Sequence, residues 1–229
     1  MEIRVTSEEE FSRLLDALAR DVVNANIYYR LFVDLLASLD KYGKELRESN
    51  TFWWLTMQAI KEAYLFRLCR IFDHTTKTLS LVNLLDTIKA NLHLFDEPHF
   101  RERLKGNPFV DSLAEGVRAP AKDELLTDID FANQNKNPVV KKLLVWRGNA
   151  YAHTGAKVAL GKTDSLEDIS ADEVKELLDR SFAIFNKYSR LYKATSWSKQ
   201  VVGHDDHQVL FELLRRGLEK FRADAGKSP

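Results

Sequence analysis

The chain has 229 residues with 34 basic and 34 acidic side chains, and its hydrophobic fraction of 45% is enough for one large domain with a buried core. Nine glycines and five prolines are few for this length, which favours long helices over many strands and turns. Zero net charge argues against a protein that coats nucleic acid or membranes by bulk electrostatics, and one cysteine excludes an internal disulfide or a multi-cysteine metal site. No segment is apolar enough to span a bilayer and the N-terminus is too polar for a signal peptide, so we expect no membrane partner and a cytoplasmic location.

A long helix is predicted near the N-terminus. Ser7 and Glu10 can form a capping box, with acidic side chains at the positive end of the helix dipole. Apolar residues then recur at helical spacing. The pattern predicts one helix, or two with a bend near residues 24–26, and an end at about Tyr42 and Gly43, where the glycine would terminate it.

The next helix begins at Thr51 and is apolar around so much of its circumference that we expect it at the centre of a bundle. Its cysteine, Cys69, is expected to be a buried, inert thiol rather than a reactive one. Arg67 lies on the apolar stripe, and Arg70 and Asp73 follow near the end of the helix. Two roles are therefore possible for Arg67: it forms an internal ion pair, or it directs its positive charge at a phosphate.

The rest of the chain is predicted to be helical as well. Residues 93–120 contain three prolines and two glycines and should form short helices and turns. A short helix is predicted after Ser80. Further helices are predicted to begin near residue 121, at Pro138, after the Ser170–Glu173 capping box and at Asp206. With no strand pattern in the sequence, we predict an all-α fold in which a bundle of residues 1–196 carries a C-terminal helix and polar tail, 197–229.

One segment of the chain has an unusual charge pattern. Residues 131–163 contain no Asp or Glu but six basic side chains, Lys136, Lys141, Lys142, Arg147, Lys157 and Lys162. A neutral protein that concentrates positive charge around one histidine, His153, is a candidate for binding an anion there.

Helical geometry separates the chemically interesting residues of this segment. Arg147 lies in an apolar seam, while Asn149 precedes His153 by four residues and can orient its imidazole. Arg147 and His153 are roughly 240° apart around the helix and about 9 Å apart along it, so a site that needs both lies off the helix end or is assembled from two copies. A histidine at a helix C-terminus suits acid–base chemistry, and an arginine suits a pentavalent phosphorane. The structural alternative is an ion pair of Arg147 with Asp73 and a histidine that caps the helix.

Three stretches in order resemble a known family. They are FWWLTMQAIKEAYLFRLCRIFD, TLSLVNLL and VVKKLLVWRGNAYAHTG. An arginine followed by a histidine at the end of a bundle helix resembles the signature of HEPN domains, and the set of three resembles their abortive-infection (Abi U-type) branch over about residues 7–192. The resemblance implies an up-and-down helical bundle with additional helices, commonly dimeric, and many members are metal-independent ribonucleases.

The resemblance also implies roles for individual residues. His153 would be the acid and base, Arg147 would stabilise the phosphate, and Asn149 would orient His153, while the 2′-hydroxyl of RNA attacks the adjacent phosphate and leaves a 2′,3′-cyclic end. Further basic side chains are expected to bind the substrate: Lys142, Lys157, Arg67 and Arg70. The leading hypothesis is therefore a homodimeric endoribonuclease of a phage-defence or toxin–antitoxin system.

Gly148 departs from the family pattern, which usually has Asn, Asp or His directly after the arginine. The alternative hypothesis is thus a non-catalytic module that binds RNA or a partner protein, such as a cognate nucleotidyltransferase antitoxin. The His-Asp-Asp-His run at 204–207 fits a helix start as well as a metal site, and we expect neither metal nor other cofactor.

Overall fold

The computed structural model of the protein describes residues 3–116, 119–148, 160 and 167–225, and the regular elements in these ranges are all helical. The predicted all-α fold is confirmed. The α-helices, with a 3₁₀ turn at Leu92–Phe95 between the third and fourth, are α1 (Glu8–Arg47), α2 (Asn50–Ile71), α3 (Leu81–Ala90), α4 (Glu97–Arg103), α5 (Val110–Ala114), α6 (Lys122–Ala132), α7 (Pro138–Trp146), α8 (Ala171–Lys193) and α9 (Asp206–Ala225). Within the described ranges, none of them combines the length and the apolar character that a bilayer crossing requires.

Helix α1 is a single long helix, as one of the two predicted alternatives stated. Its helical backbone is interrupted at Tyr42, with φ −119° and ψ 18°, and not near residues 24–26. The predicted end at about Tyr42 and Gly43 coincides with this interruption, and a further helical segment continues from there to Arg47. At the interruption, the Tyr42 ring packs on Phe211 of α9.

Helix α2 is buried mainly in its C-terminal half, where Tyr64, Leu68 and Phe72 are almost fully inaccessible. Near its N-terminus, Phe52 and Trp54 are more than half exposed. The expected central position of α2 is therefore confirmed for its C-terminal half and is wrong for its N-terminal part. An apolar circumference does not distinguish a buried helix from one that presents aromatic rings to solvent.

The predicted helix starts are confirmed in position, but the capping box predicted at α1 is only half formed: Ser7 accepts a hydrogen bond from Glu10 N–H at 3.2 Å, whereas the Glu10 carboxylate accepts from Thr6 N–H at 2.7 Å. Ser80 caps α3 by accepting a hydrogen bond from Asn83 N–H, and Pro138 occupies the first position of α7. At α8, Ser170 and Glu173 form the full capping box, each side chain accepting a hydrogen bond from the other's backbone N–H. The proline-rich segment between α3 and α6 consists of the 3₁₀ turn and two short helices, as predicted.

The chain divides into two compact units. The first contains the described residues of Met1–Ala25 and Phe66–Trp197. Its centre includes a cluster of three rings in which Phe11 lies 5.7 Å from Phe95 and 4.7 Å from Tyr192, measured between ring centroids. The Tyr192 hydroxyl donates to the carbonyl oxygen of Glu8 at 2.9 Å, which ties the end of α8 to the start of α1.

The second unit contains the described residues of Asn26–Leu65 and Ser198–Pro229. Its core is a cluster around the fully buried Phe211 of α9, whose ring lies 5.0 Å from Tyr42 and 5.1 Å from Trp53. Polar contacts surround this cluster: the Tyr42 hydroxyl donates to Glu212 at 2.7 Å. Helix α9 is thus held to parts of α1 and α2 by apolar burial and by hydrogen bonds.

Candidate functional site

The helix that carries the site, α7, is fixed at its start by the side chain of Asn137. Its Oδ1 accepts hydrogen bonds from Val139 N–H at 3.0 Å and Val140 N–H at 3.4 Å, and its Nδ2 donates to the carbonyl oxygen of Phe131 at 2.9 Å. The buried side chains of Val140 and Leu143 then attach the helix to the core of the first unit. These contacts position α7, and Arg147 is the residue that follows its end at Trp146.

The other end of α7 is tied to the start of α8. Lys142 Nζ donates to both carboxylate oxygens of Glu173, at 3.1 and 3.0 Å, and lies 3.5 Å from Glu167. The indole N–H of Trp146 donates to the carbonyl oxygen of Glu167 at 3.1 Å. After Trp146 the helix widens into a turn that contains Arg147 and Gly148.

Arg147 forms an ion pair with Asp73, which follows the last turn of α2. Arg147 Nη1 lies 2.9 Å from Asp73 Oδ1, and the same oxygen accepts hydrogen bonds from the backbone N–H of Thr75 at 2.9 Å and from its hydroxyl at 2.8 Å. The Asp73 side chain is only 11% exposed, whereas that of Arg147 is 34% exposed. The ion-pair alternative for Arg147 is therefore correct as to its partner, but the guanidinium is still accessible to a ligand.

The contacts of Asp73 decide its charge. Burial raises the pKa of the carboxyl, but hydrogen bonds from Arg147 and Thr75 outweigh burial, so that the pKa lies below its ordinary value of 3.8. Asp73 is thus ionised at neutral pH, and the arginine has a fixed anionic partner.

The adjacent His74 connects the end of α2 to the turn that precedes α7. Its Nε2 lies 3.0 Å from the carbonyl oxygen of Ala132 and 3.1 Å from the backbone N of Gln134.

A second arginine–aspartate pair lies in the same unit. Arg70 Nη2 is 2.9 Å from Asp21 Oδ2, and the Arg70 side chain is 68% exposed while that of Asp21 is 16% exposed. Burial raises the pKa of Asp21 above its ordinary value, although Arg70, Arg67 and Arg20 all act to lower it. Three arginines thus act on one mostly buried carboxylate.

A cleft of about 550 Å³ joins the two pairs. Its polar lining consists of Arg20, Asp21, Arg70, Asp73 and Thr78. Since Asp73 lines the cleft and also binds Arg147, the guanidinium of Arg147 lies one side chain away from the cleft. The arrangement provides several positive donors around a surface that a phosphate can reach.

A comparison with known families decides the identity of the fold. The sequence matches the HEPN_AbiU2 family model, described as AbiU2, over residues 8–213. The chain belongs to the AbiU2 family of HEPN proteins. No curated protein and no solved structure gives a significant match to the chain. This AbiU2-family chain is therefore a HEPN-type helical module, and the resemblance inferred from the three sequence stretches is confirmed.

The fold of the AbiU2-family chain brings together some of the predicted site residues. Arg67 and Arg70 both act on Asp21, and Arg70 shares its cleft with the partner of Arg147. Lys142 is not in this group, because it is 13% exposed and bound to Glu173. Its predicted role in substrate binding stays a prediction. Asn149, His153 and Lys157 lie outside the described residues, so their predicted roles also stay predictions.

Several residues that shape the site were not predicted from the sequence. Arg20 and Asp21 stand in the middle of α1 without any local signal, and Thr75 had no assigned role. The signal in the sequence is an acidic residue on α1 able to pair with the arginines of α2, but helical spacing alone does not specify which turn of α1 meets α2.

Two other candidates from the sequence do not form sites in the described part of the chain. Cys69 is 2% exposed, and burial raises the pKa of its thiol to about 12, which confirms the predicted buried, unreactive cysteine. Among the described residues, no three His, Cys, Asp or Glu side chains converge in a group that could hold a metal ion. The run at 204–207 leads into α9, which begins at Asp206.

Proposed function

We propose that the chain is a metal-independent endoribonuclease of the abortive-infection or toxin–antitoxin type. The observation that carries the proposal is the placement of Arg147, which is partly exposed, held by the ionised Asp73 and adjacent to an arginine-lined cleft in a HEPN-family fold. A guanidinium fixed in this way can stabilise the charge that develops on a phosphate in the transition state, because little reorganisation is needed when that charge appears.

In the proposed reaction, the 2′-hydroxyl of a ribose attacks the adjacent phosphorus. The new P–O2′ bond forms as the P–O5′ bond breaks, which leaves a 2′,3′-cyclic phosphate and a free 5′-hydroxyl. His153 takes the proton of the 2′-hydroxyl while water protonates the leaving 5′ oxygen, or His153 protonates that oxygen while water takes the 2′ proton. Asn149 orients the imidazole, and Arg147 binds the non-bridging oxygens. Lys142, Lys157, Arg67 and Arg70 are proposed to bind the flanking RNA.

Cleavage assays on single-site variants test this proposal. Purified wild type, incubated with RNA and excess EDTA, should produce 2′,3′-cyclic ends, and Arg147→Ala and His153→Ala should each lose at least about a hundredfold in rate. Arg13→Ala and His204→Ala are matched controls, because both side chains are exposed and outside the site, and they should cleave at the wild-type rate. Equal activity in all five proteins, or activity abolished by EDTA, would contradict the proposal.

We further propose that the active form is a homodimer in which Arg147 of one chain acts with His153 of the other. The support is a sequence expectation: on one continuous helix, the six positions from Arg147 to His153 would turn the two side chains roughly 240° apart. Mixing the two inactive variants should then restore activity to about a quarter of the wild-type level, because half of the dimers are mixed and each has one intact site. No restoration on mixing would place both residues of a site in one chain.

A non-catalytic module that binds RNA, or a partner such as a nucleotidyltransferase antitoxin, is the second candidate. The observation that favours it is Gly148, which stands where the family usually has a polar side chain. In that case wild type would bind RNA or the partner without producing cyclic ends, and His153→Ala would bind as tightly as wild type.

A further inference from the structure

The cleft beside Asp73 has features of a binding site that the proposed chemistry at Arg147 does not use. Its volume of about 550 Å³ lies within the range of roughly 300–1,000 Å³ that small-ligand sites occupy. Arg20 comes from α1, Arg70 from α2 and Thr78 from the loop before α3, so the lining is contributed by three separate parts of the chain. A surface built in this way is formed by the fold and not by a single charged helix face.

The arginines of the cleft are oriented by acids that are themselves shielded from solvent. Asp21 is 16% exposed and holds Arg70 by one amino group, which leaves most of the Arg70 side chain in solvent. Arg67 and Arg20 act electrostatically on the same carboxylate. Because Arg70 contacts Asp21 through one amino group, a phosphate can bind the remaining donors of Arg70 without displacing the carboxylate. A guanidinium that is held at one edge also presents its remaining donors in a fixed fork.

The charges around the cleft favour an anion. In the described residues, the two carboxylates Asp21 and Asp73 are in ion-pair or electrostatic contact with four arginines, Arg20, Arg67, Arg70 and Arg147. Arg147 also connects this cleft to the proposed reaction centre through Asp73. A group bound in the cleft would thus be a neighbour of the phosphate at Arg147, which matches the repeating phosphodiesters of one RNA strand.

We propose that this cleft binds a flanking phosphodiester of single-stranded RNA, with Arg20 and Arg70 as its phosphate ligands. The inference rests on the proposed ribonuclease function, and it adds a second binding position and a residue, Arg20, outside the family's arginine–histidine motif. The cleft then sets the register of the strand, because a phosphate held there fixes which phosphate reaches Arg147.

Binding of a short 2′-O-methyl oligoribonucleotide measures this role without cleavage, because the blocked 2′ oxygen cannot attack. Arg20→Ala and Arg70→Ala should each weaken binding about three- to tenfold. Each should also reduce the slope of log affinity against log salt concentration by about 0.7, the value for one phosphate contact on a single strand. Arg13→Ala is the matched control, since Arg13 is an exposed arginine of α1 paired with Glu9, and it should bind as wild type.

The outcomes separate this inference from the proposed cleavage. If wild type fails to bind the oligonucleotide, or if the Arg20 and Arg70 variants bind as tightly as the Arg13 variant, the cleft is not an RNA site. If inorganic phosphate competes as strongly as the oligonucleotide at equal phosphate concentration, the cleft binds a small anion and the RNA assignment is overturned. If wild type binds through the cleft but leaves unmodified RNA intact, the ribonuclease proposal fails and the binding site stands.

Discussion

The guanidinium of Arg147 and the carboxylate of Asp73, 2.9 Å apart, join the C-terminal ends of two helices that are distant in sequence. A helix C-terminus carries a partial negative charge, which favours Arg147 and disfavours Asp73 at these positions. Asp73 is stable there because Arg147 and both hydrogen-bond donors of Thr75 compensate its charge. The pair therefore gives the site a rigid element before any substrate binds.

Removing the carboxylate of Asp73 should destabilise the protein. Asp73→Ala leaves Thr75 without its acceptor and Arg147 without its anion, so we expect the free energy of unfolding to fall by about 1–3 kcal/mol. Urea denaturation at neutral pH measures the change. Asp111→Ala, which removes an exposed aspartate paired with Arg101, is the control and should stay within about 0.5 kcal/mol of wild type. Equal effects of the two substitutions would contradict the structural importance of Asp73.

The stability contribution of Asp73 should depend on pH in a defined direction. Its pKa is lower in the folded protein than the ordinary value of 3.8, so the folded state binds the proton less readily than the unfolded state. The advantage of wild type over Asp73→Asn is therefore complete above pH 3.8 and is lost as the pH falls through the lower, folded-state value.

Asp21 provides the comparison of opposite sign for this pH dependence. Burial raises its pKa in the folded protein, so the stability of wild type relative to Asp21→Asn should increase as the pH falls through that raised value towards 3.8. Denaturation curves of wild type and both variants, measured below pH 3.8 for Asp73 and above it for Asp21, give the slope of each stability difference against pH. Slopes of the same sign would contradict the assignment of the two carboxyl environments.

Gly148 can be tested directly, because the backbone there accommodates a side chain. A Cβ atom at Gly148 would have no described atom within 4 Å, and the residue is exposed. Gly148→Ala should therefore raise the free energy of unfolding by up to about 1 kcal/mol, since alanine loses less backbone entropy in a helical turn. Thermal denaturation measures this effect.

A polar side chain at position 148 tests whether the glycine limits the rate of RNA cleavage. We expect Gly148→Asn to cleave RNA faster than both wild type and Gly148→Ala, because asparagine is among the residues that the family usually has after the arginine. Gly148→Ala controls for the change in backbone freedom. An asparagine variant that is no faster than the alanine variant would show that the glycine does not limit the reaction.

The C-terminal helix should be required for the stability of the second unit. Phe211 is fully buried between Tyr42 and Trp53, so Phe211→Ala should cost about 3–5 kcal/mol. Phe221→Ala, at an exposed position on the same helix, should change stability by less than about 0.5 kcal/mol. Chemical denaturation followed by circular dichroism distinguishes the two.

The predicted boundary between residues 1–196 and 197–229 stays a prediction, and truncation tests it. A chain that ends at residue 196 loses Phe211 and exposes the apolar residues that it covers. We expect this shorter chain to be less stable than the full chain and more prone to self-association in light scattering. A truncated chain with full stability would make the C-terminal helix a dispensable addition.

Local patterns predicted most of the fold. Capping residues such as Ser80, the Ser170–Glu173 pair and Pro138 act on the backbone next to them, so their effect can be inferred from a few neighbouring residues. The interruption of α1 at Tyr42 was predicted, but the helical segment that follows it to Arg47 was not, and it lies where α1 packs against α9, which is distant in sequence. Local propensity cannot include that contact.

The candidate site was predictable to a smaller extent for the same reason. The sequence indicated Arg147 and a short set of partners for it, including Asp73, because an arginine in an apolar seam requires an anion. It did not indicate that Arg20 and Asp21 would meet α2, since two long helices can pack in several registers with similar apolar stripes. Only the three-dimensional arrangement selects one of them.

The single cysteine makes the arginine cleft observable in solution. Cys69 lies one helical turn before Asp73, is almost completely buried and interacts electrostatically with Arg147. A thiol reagent can reach it only when this part of the first unit opens, so the rate of modification reports the opening of the region around Asp73 and Arg147. Cys69 therefore serves as a built-in reporter group. A ligand that closes the cleft would slow the reaction of Cys69 with a thiol reagent, and no introduced probe is needed to see this.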